Sequence, residues 1–281
     1  MNKKQIAVCA IVVFTMGYLY LQPVKGLVKT QDAGSKPAAA AGAAEPPTEV
    51  TLASVEEIAR PALSAQQAQQ ISTLEEKLKT ASDADKANLQ LEIAALWDVA
   101  RQPAPAAFYY QDIALRTNAF DDWVNAGNRF NEATRASQDA QAQIALSAKA
   151  ATAFTNATKL KPTDLEAKTG LGVAYVNGGG MPMQGITLLL EVVKQDPKNH
   201  SALLNLGMFA MKSGQYDKAV ARFKTMIAIK EELEPYFYLA ESYKQLGQKK
   251  EAIAAYEKCK ELIGDPVEAQ RIDEFIKELK K

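Results

Sequence analysis

Histidine and cysteine are almost absent from this sequence. Its 281 residues include one histidine, His200, and two cysteines, Cys9 and Cys259, which lie far apart in the chain. A structural zinc site needs about four Cys or His ligands, and a disulfide framework needs several cysteine pairs. We therefore expect no metal site and no disulfide, and we interpret His200 as a solvated residue at a helix start.

An excess of charge of either sign is also lacking. Thirty-three Lys and Arg residues balance thirty-three Asp and Glu residues, and no separate basic arm offsets that balance. The sequence therefore offers no field that would attract nucleic acid. It also has no nucleophile elbow and no repeated carboxylate motif, whereas catalysis needs an acid, base or nucleophile in a defined cluster. We predict a protein that is not an enzyme, with no cofactor and no small-molecule substrate.

One long apolar run is present, at the amino end. It extends from Ile6 to Leu21, Lys3 and Lys4 precede it, and Tyr18 and Tyr20 near its end suit a membrane interface. The run is short for a spanning helix and long for a signal peptide, so an anchor and a cleaved signal are both possible. Small residues that would mark a cleavage site are poorly represented, which favours a single-pass membrane anchor over residues 1–25.

The charges around this run predict its orientation. The apolar run is preceded by Lys3, Lys4 and the terminal amine, and it is followed by Lys25 and Lys29. This slight excess of positive charge before the run predicts that the amino end stays in the cytoplasm. The folded part is then expected to be periplasmic, or extracytoplasmic more generally. Residues 26–50 are rich in Ala and Pro and lack periodic apolar residues, which is typical of a flexible linker.

A fixed spacing of large, small, glycine and aromatic residues recurs from residue 122 onward. Not every copy keeps all four types, but the register is constant. The four copies are Trp123, Ala126, Gly127 and Phe130; Lys168, Leu171, Gly172 and Tyr175; Leu203, Leu206, Gly207 and Ala210; and Tyr236, Leu239, Ala240 and Tyr243.

A second set follows each copy, in which a small residue precedes an aromatic or large apolar residue by four positions and a further apolar residue by seven. These sets are Ala150, Phe154 and Ala157; Gly185, Leu189 and Val192; Ala219, Phe223 and Met226; and Ala252, Tyr256 and Cys259. Pro162 and Pro197 follow the first two sets and end a helix there, because proline lacks the backbone donor. The sequence therefore predicts two helices per repeat.

This pattern resembles the tetratricopeptide repeat (TPR), a 34-residue helix-turn-helix unit. The resemblance covers roughly residues 120–264 and implies an all-α solenoid of four TPR units. The first unit is longer than the others, and the second carries the run Asn177-Gly-Gly-Gly-Met-Pro in its turn. That glycine run has no following Lys-Ser/Thr that would bind phosphate, so we interpret it as a loop.

Helical segments flank the four units. Residues 51–119 are expected to form a helical cap at the amino end that contains a degenerate repeat around Ile93 and Trp97. Residues 265–281 are expected to form a capping helix that starts at Asp265 and Pro266. Such polar-backed ends keep a solenoid soluble.

In the family that the chain resembles, the first helix of each unit lines a concave groove. Carried over position by position, this predicts a partner-binding groove in which asparagine amides contact a peptide backbone and methionines adapt to its side chains. The predicted groove residues are Asn125, Asn128, Thr169, Val173, Asn205, Met208, Met211, Tyr238 and Glu241. Asn131 and Glu132 occupy groove positions as well, whereas Leu204 and Phe237 can instead pack between repeats.

These observations predict a membrane-tethered scaffold that binds other proteins or peptides and assembles an envelope complex. Three alternatives share the same fold. They are a chaperone-like holder of unfolded or secreted chains, a receptor for precursor proteins on an organelle membrane, and a purely structural membrane spacer.

Overall fold

The computed structural model describes residues 50–281, and every regular element in that range is helical. Thirteen α-helices and one 3-10 turn (Arg60–Ala62) occur in this part of the chain, without a strand. The helices are α1 (Leu52–Ala59), α2 (Ala65–Thr80), α3 (Asp83–Val99), α4 (Pro103–Thr117), α5 (Phe120–Ala136), α6 (Ala140–Leu160), α7 (Leu165–Asn177), α8 (Pro182–Gln195), α9 (His200–Lys212), α10 (Tyr216–Ile229), α11 (Leu233–Gln245), α12 (Lys249–Leu262) and α13 (Pro266–Leu279). The predicted all-α class is confirmed.

Several helices begin at a side chain that binds their free backbone N–H groups. Ser64, Asp164 and Asn199 each accept a hydrogen bond from the backbone N–H three residues later. Asp265 caps α13 in a similar way, and Pro266 occupies the first turn, where a missing N–H costs nothing. Short polar side chains thus set where these helices start.

The helices pack as consecutive pairs, α3 with α4, α5 with α6, α7 with α8, α9 with α10, and α11 with α12. Each pair packs against the next, and α13 closes the array against α12. First helices of neighbouring pairs contact one another more than second helices do, so the array from α5 to α12 curves with its first helices on the inner side. The four predicted units correspond to α5–α12.

Large side chains from the second helices fill the core between pairs. Phe154, Phe223 and Tyr256 occupy the same repeat position on α6, α10 and α12, and all three are fully buried. An added Cβ on Gly127 would lie 2.7 Å from the ring of Phe154, and one on Gly207 would lie 2.6 Å from the ring of Phe223. Carbon atoms do not approach this closely, so any side chain at these positions would push the helices apart.

The long pair α5–α6 supports α1. Helices α5 and α6 contain 17 and 21 residues, whereas the corresponding helices of the later pairs contain 13 or 14. Val50 and Val55 share a buried apolar cluster with Phe108 of α4, Phe130 of α5 and Leu146 of α6. A cavity of about 240 Å³ remains between α1 and this pair. The extra length in the first unit therefore gives α1 a surface to pack on.

The other face of α1 is held by charged and aromatic groups. The guanidinium of Arg60 pairs with Glu56 at 2.9 Å and with Glu75 of α2 at 2.7 Å. The hydroxyl of Tyr109 on α4 donates to Glu56 at 2.8 Å. Burial raises the pKa of the Glu56 carboxyl despite these partners, and it also raises the pKa of Tyr109.

The carboxy-terminal helix α13 packs through an aromatic cluster. Ile272 and Ile276 are buried, and the ring of Phe275 stacks on Tyr256 with 5.6 Å between centroids. Phe275 also contacts Phe237 at 6.3 Å. The apolar face of α13 is therefore covered by the last helix pair.

The predicted anchor over residues 1–25 and most of the predicted linker lie outside the residues that the structure describes. Within residues 50–281, no helix combines the length and the hydropathy that a membrane span requires.

Candidate partner-binding groove

Two adjoining cavities lie on the inner face formed by α5, α7 and α9. The first, here called the amide cavity, has a volume of about 340 Å³. The second, called the methionine cavity, has a volume of about 400 Å³. They share Arg135, Val173 and Asn205, so they form one continuous groove along the first helices. Its size is within the range of sites that bind ligands or peptide side chains.

Polar side chains dominate the amide cavity. It is lined by Asn128, Asn131, Glu132 and Arg135 from α5; Glu166, Thr169, Gly170 and Val173 from α7; and Asn199, Ser201 and Asn205 at the start of α9. Four of the nine predicted groove residues, Asn128, Thr169, Val173 and Asn205, meet here. Three successive repeats thus contribute to one site.

The hydrogen bonds of three asparagines fix how their amides are turned. The Nδ2 of Asn128 donates to the carboxylate of Glu166 at 3.1 Å, and that of Asn205 donates to the carbonyl oxygen of Ser201 at 2.8 Å. The Nδ2 of Asn131 donates to the carbonyl oxygen of Gly170 at 3.1 Å. All three partners can only accept, so the opposite amide orientation would lose each bond. The Oδ1 atoms are left to accept from other groups.

Asn131 is the most unusual of these side chains. It is only 5% exposed, and its Oδ1 atom has no hydrogen-bond partner. Buried carbonyl oxygens in proteins are nearly always paired, with protein atoms, water or a ligand. The Oδ1 of Asn131 has almost no accessible surface, so it is an unpaired acceptor buried behind the lining of the amide cavity.

Charged side chains border the same cavity. Arg129 pairs with Glu132 of the same helix at 3.2 Å and with Asp98 of α3 at 2.7 Å, and the second ion pair links the pair α3–α4 to α5. Arg135 and Glu166 are exposed at the edge of the cavity. The site thus carries both signs of charge and has no uniform field.

The methionine cavity has a more apolar lining. Met208 and Phe209 of α9 lie beside Val173, and Asn177 and Lys212 are at its edges. Met208 and Phe209 are half-buried, so part of each side chain faces solvent. Flexible thioether and aromatic surfaces of this kind can adapt to different apolar side chains.

The structure does not bring the remaining predicted residues into these cavities. Asn125 is exposed on α5 and does not line either cavity. Met211 and Tyr238 are half-buried and pack against the carboxy-terminal core, where the ring of Tyr238 stacks on Phe223 at 5.5 Å. Burial and the nearby Glu234 carboxylate raise the pKa of Tyr238.

Glu241 also turns toward the core. It accepts a hydrogen bond from the hydroxyl of the buried Tyr256 and pairs with Lys244 at 3.5 Å. Phe237 contacts Tyr256 and Phe275, so it serves packing rather than the groove. At the carboxy-terminal end, side chains at groove positions thus hold the last pair and α13 together.

Sequence reasoning missed some lining residues. Glu166 and Ser201 stand at the second position of their units, which is a groove position in the family pattern and could have been included. Arg135 lies in the extra turn of α5, for which the repeat pattern has no position. His200 is half-exposed at the first position of α9, with its Nε2 2.9 Å from Glu232. Within residues 50–281, no cluster of three or more His, Cys, Asp or Glu side chains suits a metal ion.

Two tetratricopeptide-repeat family models match the chain, over residues 188–221 and residues 233–266. Both matches fall in the carboxy-terminal half, where the repeats have regular length. A comparison with curated proteins gave no match.

Solved structures resemble the described fold at low sequence identity. A TPR protein of Parabacteroides merdae is 14% identical with a TM-score of 0.56, over 80% of this chain and 85% of that one. A thermophilic TPR protein of Thermus thermophilus is 19% identical with a TM-score of 0.52, over 67% of this chain and 97% of that one. One chain in the structure of the APC/C hetero-tetramer Cut9-Hcn1 is 15% identical with a TM-score of 0.52, over 81% of this chain and 41% of that one. The chain therefore contains tetratricopeptide repeats, and its helices form a TPR solenoid.

Proposed function

We propose that this protein is a membrane-tethered scaffold that binds an extended segment of a partner protein in the groove formed by α5, α7 and α9. TPR solenoids are consistent with protein–protein interaction. The observation that carries the proposal is the continuous groove, which joins the amide cavity to the methionine cavity.

The chemistry of the groove suits an extended polypeptide. The amide cavity offers polar groups that can pair with backbone and polar side chains, and the methionine cavity offers apolar surface for neighbouring side chains. An extended chain presents both kinds of group within a few residues. A small apolar ligand, in contrast, would leave the polar lining unpaired.

The proposed tether rests on the sequence. The apolar run Ile6–Leu21 and its flanking lysines support a membrane anchor, with the solenoid in an extracytoplasmic space and an envelope complex as its partner. Removing residues 1–25 is expected to release the protein from the membrane fraction, and the released protein should keep a strongly helical far-ultraviolet circular dichroism spectrum. A truncated protein that still sediments with membranes would contradict the tether.

Site-specific photocrosslinking in native membranes tests the groove. A photoreactive residue is placed at Met208 in the methionine cavity, and a control is placed at Lys224, exposed on the second helix α10. We expect one discrete adduct from Met208 and none from Lys224. Many weak adducts from Met208 would favour a holder of unfolded chains, and equal labelling from both positions would contradict the groove.

A further inference from the structure

We propose that the methionine cavity binds the carboxylate side chain of an aspartate or glutamate in the bound segment, and that an apolar residue two positions away packs in the same cavity. This inference rests on the proposed function, because it assigns a chemical class to two residues of the segment that the groove would bind. It depends on the charges at the edge of the cavity, on the helix turn that supplies one of them, and on the apolar part of the lining.

Every charged side chain that lines the methionine cavity is positive. Arg135 comes from α5 and Lys212 from α9, and the other lining residues are uncharged. Both side chains are exposed, and none of the ion pairs formed among residues 50–281 involves either of them. A carboxylate has two acceptor oxygens, so it is complementary to this lining and can pair with either cation or with both.

The carboxylates of the groove lie in the other cavity and are already engaged. Glu132 and Glu166 line the amide cavity and not the methionine cavity. Glu132 pairs with Arg129 at 3.2 Å, and Glu166 accepts a hydrogen bond from Asn128 at 3.1 Å. Arg135 borders both cavities, so it offsets these carboxylates in the amide cavity, whereas no lining carboxylate of the described chain opposes it in the methionine cavity.

The helix ends at this cavity reduce its positive charge without cancelling it. Arg135 lies in the last turn of α5, Lys212 is the last residue of α9, and α7 ends at Asn177 on the same lining. Each helix carboxy terminus carries about half of a negative charge. Three such ends compensate about one and a half positive charges, so the two cations leave a positive excess at the cavity.

Arg135 gives the site its directional group. Its planar guanidinium can donate two parallel N–H bonds to one carboxylate, whereas the ammonium of Lys212 acts as a point charge. Arg135 lies in the extra turn of α5, and the corresponding helices α7, α9 and α11 contain 13 residues and lack that turn. This cation is therefore particular to the first unit, and the repeat pattern does not provide it.

Apolar surface lies in the same cavity as the two cations. Val173, Met208 and Phe209 line it, and the side chains of Met208 and Phe209 are half-buried. In an extended segment, residues two positions apart point to the same side. A segment whose acidic residue meets Arg135 or Lys212 therefore presents the residue two positions away to the same cavity. The expected motif is an Asp or Glu separated by one residue from an apolar residue, in either chain direction.

The test begins with a selection of short random peptides on the full-length protein in non-ionic detergent micelles. The peptides are displayed with both ends joined to a carrier, so that no terminal carboxylate can occupy the site. Selected peptides are synthesised with blocked ends and an uncharged fluorophore. Each is made with its acidic residue intact, replaced by the corresponding amide, or replaced by lysine.

Fluorescence anisotropy then measures the binding of these peptides to wild type and to variants of the two cations. The variants are Arg135→Gln, Arg135→Lys, Lys212→Gln and the double change Arg135→Glu with Lys212→Glu. The matched controls are Arg271→Gln on α13 and Lys159→Gln on α6, which remove exposed cations that line neither cavity.

We expect selected peptides to share an acidic residue with an apolar residue two positions away. Replacing the acid by its amide should weaken binding to wild type about fivefold, as expected for a partly exposed ion pair. Arg135→Gln and Lys212→Gln should each weaken the acidic peptide about threefold and leave the amide peptide unchanged, whereas Arg135→Lys should retain most of the affinity. The double change to glutamate should reverse the preference, so that the lysine peptide binds more tightly than the acidic one. The two control variants should bind like wild type.

Selected peptides without a common acidic residue would overturn this inference, and so would equal binding of the acidic and amide peptides. If Arg135 and Lys212 only balance the ends of their helices, their replacement lowers stability and leaves the peptide preference unchanged, which would overturn it as well.

The proposed function fails in a different way, which a photoreactive residue at Met208 reveals. If no peptide is selected, or if none of the selected peptides forms an adduct at Met208, the groove is not the binding surface. Adducts at Met208 with peptides that show no acidic preference would leave the groove in place and overturn only the carboxylate site.

Discussion

Helices α5, α7 and α9 present amide and hydroxyl side chains to an open cavity, whereas α11 presents aromatic side chains to its own neighbours. In the middle of the array, Asn131 and Thr169 line the groove. At the carboxy-terminal end, Phe237 and Tyr238 pack against Tyr256, Phe275 and Phe223. Side chains at groove positions can therefore line a binding groove in one unit and pack helices together in another.

The presence of α13 explains part of this difference. A repeat in the middle of the array has a following pair against which to pack, whereas the last pair has only the capping helix. Phe275 reaches from α13 to Phe237 and Tyr256, and the end of the array is thereby closed. The groove can stay polar in the middle because the long pair α5–α6 supplies apolar contacts elsewhere.

The cores of the two regions should be equally sensitive to truncation, which gives the largest expected effect. Phe154→Ala and Phe223→Ala each remove a fully buried ring, so each should lower the free energy of unfolding by about 3–5 kcal/mol. Urea unfolding followed by circular dichroism measures this, with Glu191→Ala as an exposed control. A loss below about 1 kcal/mol in either variant would show that its region is not tightly packed.

Phe237→Ala should show whether the groove side of the carboxy-terminal end is packed, in contrast to the open groove in the middle of the array. The ring is half-buried between Tyr256 and Phe275, so its loss should cost about 1–3 kcal/mol, less than a fully buried ring. The same urea titration measures the change. If the variant is as stable as wild type, Phe237 belongs to an open surface and the carboxy-terminal end resembles the middle.

Asn131→Leu should have a smaller effect on stability in the middle of the array. The substitution removes one hydrogen bond to Gly170 but also removes an unpaired buried oxygen, so the free energy of unfolding should stay within about 1 kcal/mol of wild type. Thermal and urea unfolding both test this. A loss above about 2 kcal/mol would mean that the asparagine stabilises the fold, as the aromatic residues do in the other region.

The smallest expected effect concerns the pH dependence of α1 packing. Burial raises the pKa of Glu56, so the folded chain holds this proton more tightly than the unfolded chain does. The resulting stabilisation is present at low pH and is lost as the pH rises through the raised pKa. Between about pH 4 and pH 7, the melting temperature of wild type should therefore fall relative to that of Glu56→Gln. Glu57→Gln, exposed on the same helix, should follow wild type, and parallel curves for all three proteins would contradict the expected linkage.

Repeat spacing was enough to predict the helix pairs and the residues that join them. The positions of Gly127 and Phe154 follow from a pattern that returns in later units, because Gly172 and Gly207 make the same kind of close contact in the next two units. The position of α1 could not be predicted in this way. Val55 shares a buried cluster with Leu146, which lies far along the chain, and no repeated signal connects them.

The repeat pattern could predict several residues that line the groove, but it could not predict how their side chains are oriented. Asn128, Thr169, Val173 and Asn205 line the amide cavity at the positions that the family pattern indicates. The pattern does not determine which way an amide turns, since this depends on a partner such as the carbonyl of Gly170 on another helix. For the same reason it could not separate Met208, which faces the groove, from Tyr238, which stacks on Phe223.

The attachment of α1 to the long pair has a mechanical consequence. Any force applied at the amino end of the described chain reaches α1 before it reaches the repeats, because α1 precedes them in sequence. The load is then shared between α4, α5 and α6 through Val50 and Val55, and is not concentrated on the first turn of α3. Since α1 is short and borders a cavity of about 240 Å³, it should detach under load before the repeats unfold. The protein could in this way extend under tension while its groove stays intact.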